Sequence, residues 1–152
     1  DVCSSDLKGL PLVFLLRDYK GKDTNDNSIV TYMQTDQLKA LFMGDAGTEA
    51  EAALLQRYDL AVDVLKVGHH GSDTSSSLSF LHELQPQLAL VSAGRNNRYH
   101  HPSTTIMQRL RQENIPALVS ARDGAVSIRF SRYFSYYVSA EGAIGILHGL
   151  WE

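Results

Sequence analysis

Val64-Leu65-Lys66-Val67-Gly68-His69-His70-Gly71-Ser72 is the stretch on which the fold turns. Residues 62–67 read as a buried strand that stops at Gly68 and releases two adjacent histidines between glycines. Core packing explains such a pair poorly. Neutral imidazole is the commonest metal-binding side chain, and the flanking glycines allow close approach of backbone or ligand. Polar motifs released at strand ends are where α/β proteins build their sites. The stretch therefore predicts an α/β chain with chemistry at a strand end.

Upstream, residues 10–17 (Leu-Pro-Leu-Val-Phe-Leu-Leu-Arg) read as a buried strand, followed by a polar loop over 18–27. Runs 28–35 and 38–44, split by Asp36-Gln37, read as a β-hairpin. Thr48 is expected to cap a helix through about Arg57, with Glu51 completing a capping box. Downstream come a Ser-rich turn, a helix from Leu78 to Leu84 stopped near Pro86, and a strand over 88–92. After a polar loop at 94–101, Pro102-Ser103 opens a helix to about Asn114, with Ile106, Met107 and Leu110 on one side. Strands over 116–120 and 124–130 flank Arg122-Asp123-Gly124, and 133–139 reads as one more strand. The Gly-rich apolar stretch 142–151 has no assigned element. This order is α/β and layered.

Two further strand ends carry polar motifs. Phe42-Met43-Gly44-Asp45-Ala46 sets a carboxylate at a strand mouth, readable either as a site residue or as a helix cap. Asn96-Asn97-Arg98-Tyr99-His100-His101-Pro102 is a second His-bearing loop, readable as a site or as an ordinary connection.

Length and composition bound these readings. The 152 residues are 43% apolar and 20% charged, enough for one domain with its own core. The longest apolar run, about seven residues around 13–16, falls far short of the ~20 that a membrane helix needs. The single cysteine, Cys3, excludes an internal disulfide framework. The net charge of −3 hides an asymmetry: residues 1–94 carry 7 basic and 13 acidic side chains, while 95–133 carry seven arginines against Glu113 and Asp123. Those arginines read either as a phosphate-facing patch or as a solvated surface.

The three loops together, with Asn25-Asp26-Asn27-Ser28 ahead of a strand, resemble the metallo-β-lactamase-fold domain of the ComEC family, the DNA-internalisation proteins of natural transformation. The likeness covers about residues 10–130 and rests on His-His-Gly-Ser and Asn-(x)-Tyr-(x)-His-Pro. His100 stands where that family commonly has Gly, which alters the backbone freedom of the loop.

What the resemblance implies is an αββα sandwich, present here mainly as its C-terminal half, with a two-metal hydrolase site at the strand-end edge. Asp45 would bridge two divalent ions (zinc or manganese), with His70 as the imidazole ligand and His69 as the alternative. His101 would face the scissile phosphate, and Ser72, Asn97, Arg98 and Tyr99 would hold the phosphate or the loop. The expected substrate is the phosphodiester backbone of DNA, and the expected partner is a membrane channel domain of the same parent protein, with this domain extracytoplasmic. A stand-alone cytoplasmic hydrolase of another phosphoester or ester, and a non-catalytic DNA-binding fragment, are the rival readings. The family's principal metal motif, His-(x)-His-(x)-Asp-His, does not occur, since no histidine precedes His69. The expectation is therefore an incomplete metal site, with 1–7 a non-native leader, 8–132 the C-terminal part of the domain and 133–152 a tail.

Overall fold

The computed structural model describes residues 4–7, 10–131 and 134–147. Cys3, Arg132 and the stretch beyond residue 147 lie outside the described residues.

Seven strands form one sheet in sequence order: β1 (Ser4–Leu7), β2 (Leu10–Leu15), β3 (Val30–Gln34), β4 (Lys39–Phe42), β5 (Val64–Lys66), β6 (Leu88–Val91) and β7 (Ala117–Val119). The pairs from β1 to β4 are antiparallel, and those from β4 to β7 are parallel. Each parallel step is made by a helix: α1 (Thr48–Arg57), α2 (Leu78–Leu84) and α3 (Thr104–Gln112). Crossovers of one hand, stepping in one direction across a sheet, lay their helices on the same face. Ala50, Leu54, Phe80, Leu81, Ile106 and Leu110 accordingly share one core with Leu41, Leu65 and Ala89 of the strands.

The opposite face follows from the two-residue period of a strand. Ala40, Val64, Leu88 and Leu118 alternate with the helix-facing residues and form a second core. They pack against a three-stranded antiparallel sheet of β8 (Val126–Phe130), β9 (Ser135–Ser139) and β10 (Ile144–Leu147), which contributes Leu147, Val126, Ile128 and Tyr137. The architecture is mixed α/β: a helix layer, a mixed sheet and a smaller sheet.

Several local expectations are corrected. Thr48 does not cap α1: the N-cap is Gly47, and Thr48 N–H donates to Thr74 O at 3.0 Å. Glu51 closes no capping box. It turns inward, fully buried, and accepts from the backbone N–H groups of Ser76 and Ser77. Between β7 and β8, Ser120–Asp123 forms a single-turn helix, α4, and the two strands enter different sheets. The stretch 142–151, without an element in the sequence reading, supplies β10. Ser4–Leu7 pairs antiparallel with β2. Among the described residues no helix is long and apolar enough to cross a membrane.

Candidate functional site

Parallel strands β4, β5 and β6 end on the same edge of the sheet, so the segments following them converge. Asp45 follows β4, His69 and His70 follow β5, and the Asn96–Pro102 motif follows β6. The three motifs singled out in the sequence are thus neighbours in space.

Backbone geometry dictates how tightly they meet. A Cβ on Gly68 would stand 2.6 Å from the Ala46 carbonyl oxygen, and one on Gly71 would stand 2.8 Å from Pro102 Cβ. Glycine at both positions lets the His-His segment press against the loops on either side. Its histidines carry strain: His69 (φ 45°, ψ 44°) and His70 (φ 54°, ψ 18°) are consecutive left-handed residues, each costing about 1–2 kcal/mol for an L-residue. Such strain persists where the surroundings over-determine it, and it clusters at functional sites. Here His69 N–H donates to Gly44 O at 3.1 Å and Ser103 N–H to Gly71 O at 2.9 Å.

His70 and Asp45 face each other, with Nε2 3.5 Å from Oδ1. His70 Nδ1 lies 2.8 Å from the Ser92 carbonyl oxygen. A carbonyl only accepts, so Nδ1 carries a proton and Nε2 is the ring nitrogen turned to Asp45. This second hydrogen bond is the arrangement that orients metal-ligating imidazoles. An imidazole nitrogen and a carboxylate oxygen facing one another are the donor types that a divalent cation takes. Among the described residues no group of three or more His, Cys, Asp or Glu side chains is placed to hold a metal ion. Asp45 and His70 would be two ligands of a site that needs more.

The alternative ligand, His69, is held differently. Its Nε2 lies 3.5 Å from Asn25 Nδ2, and its Nδ1 lies 3.5 Å from Thr74 Oγ1. It lines a cleft of about 300 Å³ with Asn25, Asp26, Asp45, Ser72 and Thr74. Ser72 is buried, and its hydroxyl is 3.0 Å from Thr74 Oγ1.

The later loop brings His101 to the same edge. Its ring stands edge-on to His69, with centroids 6.1 Å apart, and stacks on Tyr99 at 5.8 Å and 17°. Burial pushes the His101 pKa down, and the neighbouring His69 and His70 push it the same way. Its Nδ1 is buried without a hydrogen-bond partner among the described residues. Asn97 is occupied by the loop itself: Nδ2 donates to Gly94 O and His101 O, and Oδ1 accepts from His101 N–H. Arg98 lies over the exposed ring of Tyr99, 4.6 Å from its centroid.

The other arginines of 95–133 do not all serve one patch. Arg109 donates to the carbonyls of Asp73, Ser75 and Ser76, clasping the Ser-rich loop. Arg122 pairs with Asp123 at 2.8 Å and also donates to Ala117 O.

Asp45 is free for chemistry because the cap position belongs to Gly47. Its N–H donates to Ser28 Oγ at 3.1 Å. Ser28, Lys66, Thr74 and the Ser92 carbonyl were not picked out from the sequence as supports of the site. Ser28 and Lys66 lay inside the quoted motifs, whereas a backbone carbonyl leaves no sequence signal.

The fold and site together define a mixed α/β domain that gathers a carboxylate and three histidines on the carboxyl edge of its parallel strands. The chain is homologous to one segment each of several larger bacterial proteins. It is 38% identical over 107 residues to ComE operon protein 3 of Bacillus subtilis, covering 70% of this chain and 14% of that protein. It is 36% identical over 115 residues to competence protein ComA of Neisseria gonorrhoeae, covering 74% and 17%. It is 33% identical over 106 residues to recombination protein 2 of Haemophilus influenzae, covering 70% and 13%. The chain therefore spans about a seventh of the length of these relatives. No family model matches it.

Proposed function

We propose that this chain is part of the metal-dependent hydrolase domain of a ComEC-type DNA-uptake protein, acting on the phosphodiester backbone of DNA. The observation that carries this reading is the His70–Asp45 pair, with His70 Nδ1 anchored on Ser92 O and Nε2 turned to the carboxylate. Relatives named for competence and for recombination support the DNA-uptake context. The helix–sheet–sheet order is what one half of an αββα sandwich would supply.

Asp45 and His70 would hold divalent metal, joined by ligands from elsewhere in the parent protein, with His69 the alternative imidazole. Divalent metal bound there would polarise a phosphoryl oxygen and activate a water near neutral pH. His101, kept neutral by burial and by the neighbouring imidazoles, is suited to hydrogen-bond a phosphate oxygen or a leaving oxygen rather than to act as a standing cation. Arg98 supplies the permanent positive charge at the rim, and backbone contacts of this kind make DNA binding weaken with salt. In the parent protein the domain would lie outside the cytoplasm beside a membrane channel.

The test is made in the full-length parent protein. Asp45→Asn and His70→Ala are each expected to abolish chelator-sensitive cleavage of DNA, while DNA retention falls little. Full cleavage in either variant, or cleavage that survives a chelator, would sink the assignment. DNA binding without any turnover in the wild type would favour the binding-module reading.

A further inference from the structure

We infer that Lys66 is a positioning residue of the site: its ammonium and the His69 N–H share the Gly44 carbonyl, and that shared acceptor holds the Asp45 and His69–His70 segments in register. The two donors come from the same stretch, and the acceptor comes from the other. Lys66 Nζ donates to Gly44 O at 3.0 Å, and His69 N–H donates to the same oxygen at 3.1 Å. Asp45 is the next residue after that carbonyl, and its own N–H is fixed on Ser28 Oγ. One atom is thus the junction between the strand end that presents the carboxylate and the one that presents the imidazoles.

A lysine is a costly choice for this place. Lys66 is the last residue of β5, half-buried, in register with Phe42 on the face that turns toward the second sheet. Burial pushes its pKa down, and Asp45 pulls it back up. An apolar residue would pack there without desolvating a charge. What lysine adds is a charged donor long enough to reach back to Gly44 O. Hydrogen bonds from charged groups are about twice as strong as neutral ones, enough to decide which way a strained loop settles. Gly44 is itself left-handed (φ 59°), and a Cβ there would come within 3.0 Å of Ser28 Cβ. The Gly44–Asp45 turn is thus packed closely against Ser28.

The experiment is amide hydrogen exchange on the full 152-residue chain, comparing wild type, Lys66→Met and Lys66→Arg. The Val67 amide, bonded to Leu90 O at 2.9 Å, serves as the internal reference for the sheet. Lys66→Met is expected to speed exchange at His69 about tenfold more than at Val67, and Lys66→Arg to restore most of the protection. If the His69 and Val67 amides accelerate together, or His69 does not move, the positioning role is overturned. Should Lys66→Met not fold, Lys66→Gln, neutral but polar, takes its place with the same readings. A second arm titrates Zn²⁺ alone into the full-length parent protein, where the remaining ligands are present, and rests on the metal reading of Asp45 and His70. There Lys66→Met is expected to weaken binding about tenfold, as loss of an outer support does. Selective loss of His69 protection with unchanged Zn²⁺ affinity would support the positioning role and overturn the metal reading.

Discussion

Four non-glycine residues around the site hold left-handed backbone: His69, His70, Asn96 and His100. The first two are tied down on both sides by contacts to Gly44, Ser92 and the Ser103 amide. His100 is different. It is exposed, its N–H makes one turn bond to Asn97 O, and it takes φ 55°, a conformation that suits glycine. Its side chain is spared the packing that makes the histidine pair worth its strain. His100→Gly is therefore expected to raise stability by about 1 kcal/mol, since relief of left-handed strain outweighs the added chain entropy. A urea titration of the chain reads this as a higher midpoint at unchanged slope, and a lower midpoint would contradict it.

At the scale of elements, the helices and turns hold the buried carboxyl groups, Glu51 and Asp123 among them. Glu51 on α1 and Arg109 on α3 both hold the Ser-rich loop, one accepting from its amides and the other donating to its carbonyls. Asp123 does the corresponding work where the chain leaves the large sheet for the small one. Its Oδ2 accepts from Val119 N–H at 2.6 Å, and its carboxylate is forked by Arg122. The Arg122 hydrogen bonds hold the Asp123 pKa below the ordinary value of 3.8 despite burial. A carboxylate with a depressed folded pKa stabilises fully above its unfolded pKa. That stability is lost as pH falls below about 3.8. Asp123→Asn is expected to cost about 1–3 kcal/mol at neutral pH and to flatten the acid limb of the stability profile. Thermal melts from pH 7 to pH 3 check both, and an unchanged acid limb would exclude the assignment.

At the scale of the whole molecule, two cores share one sheet, so the layers should unfold together. Leu147, 1% exposed, is the plug that the small sheet drives against Ala40, Val64 and Leu88. Leu147→Ala is expected to cost about 2–5 kcal/mol and to leave a single unfolding transition by fluorescence and by circular dichroism. A separate early transition would mean that the small sheet is an independent unit. Legibility in the sequence follows the same division of scales. The strand patterns of 10–17, 28–44 and 88–92, the helix over Leu78–Leu84 and the buried stripe of α3 were all readable, because hydrophobic period is a local property. So were the three polar motifs, because glycine-flanked histidines after an apolar run have few structural uses. The inward turn of Glu51, the α4 turn and the strand at Ile144–Leu147 were not, since Glu51 meets the Ser76 and Ser77 amides, Ser120 at the head of α4 bonds Ala93 O, and Leu147 packs into the core between the sheets. By itself the sequence determined the α/β order, the strand ends and the residue types offered there. Only the tertiary structure decided that Asp45 and His70 meet, that His70 presents Nε2, and that Asn97 and Arg109 are occupied by the fold. Pairing of β4, β5 and β6 in parallel sets those ends side by side, and no local propensity encodes a distance across a sheet.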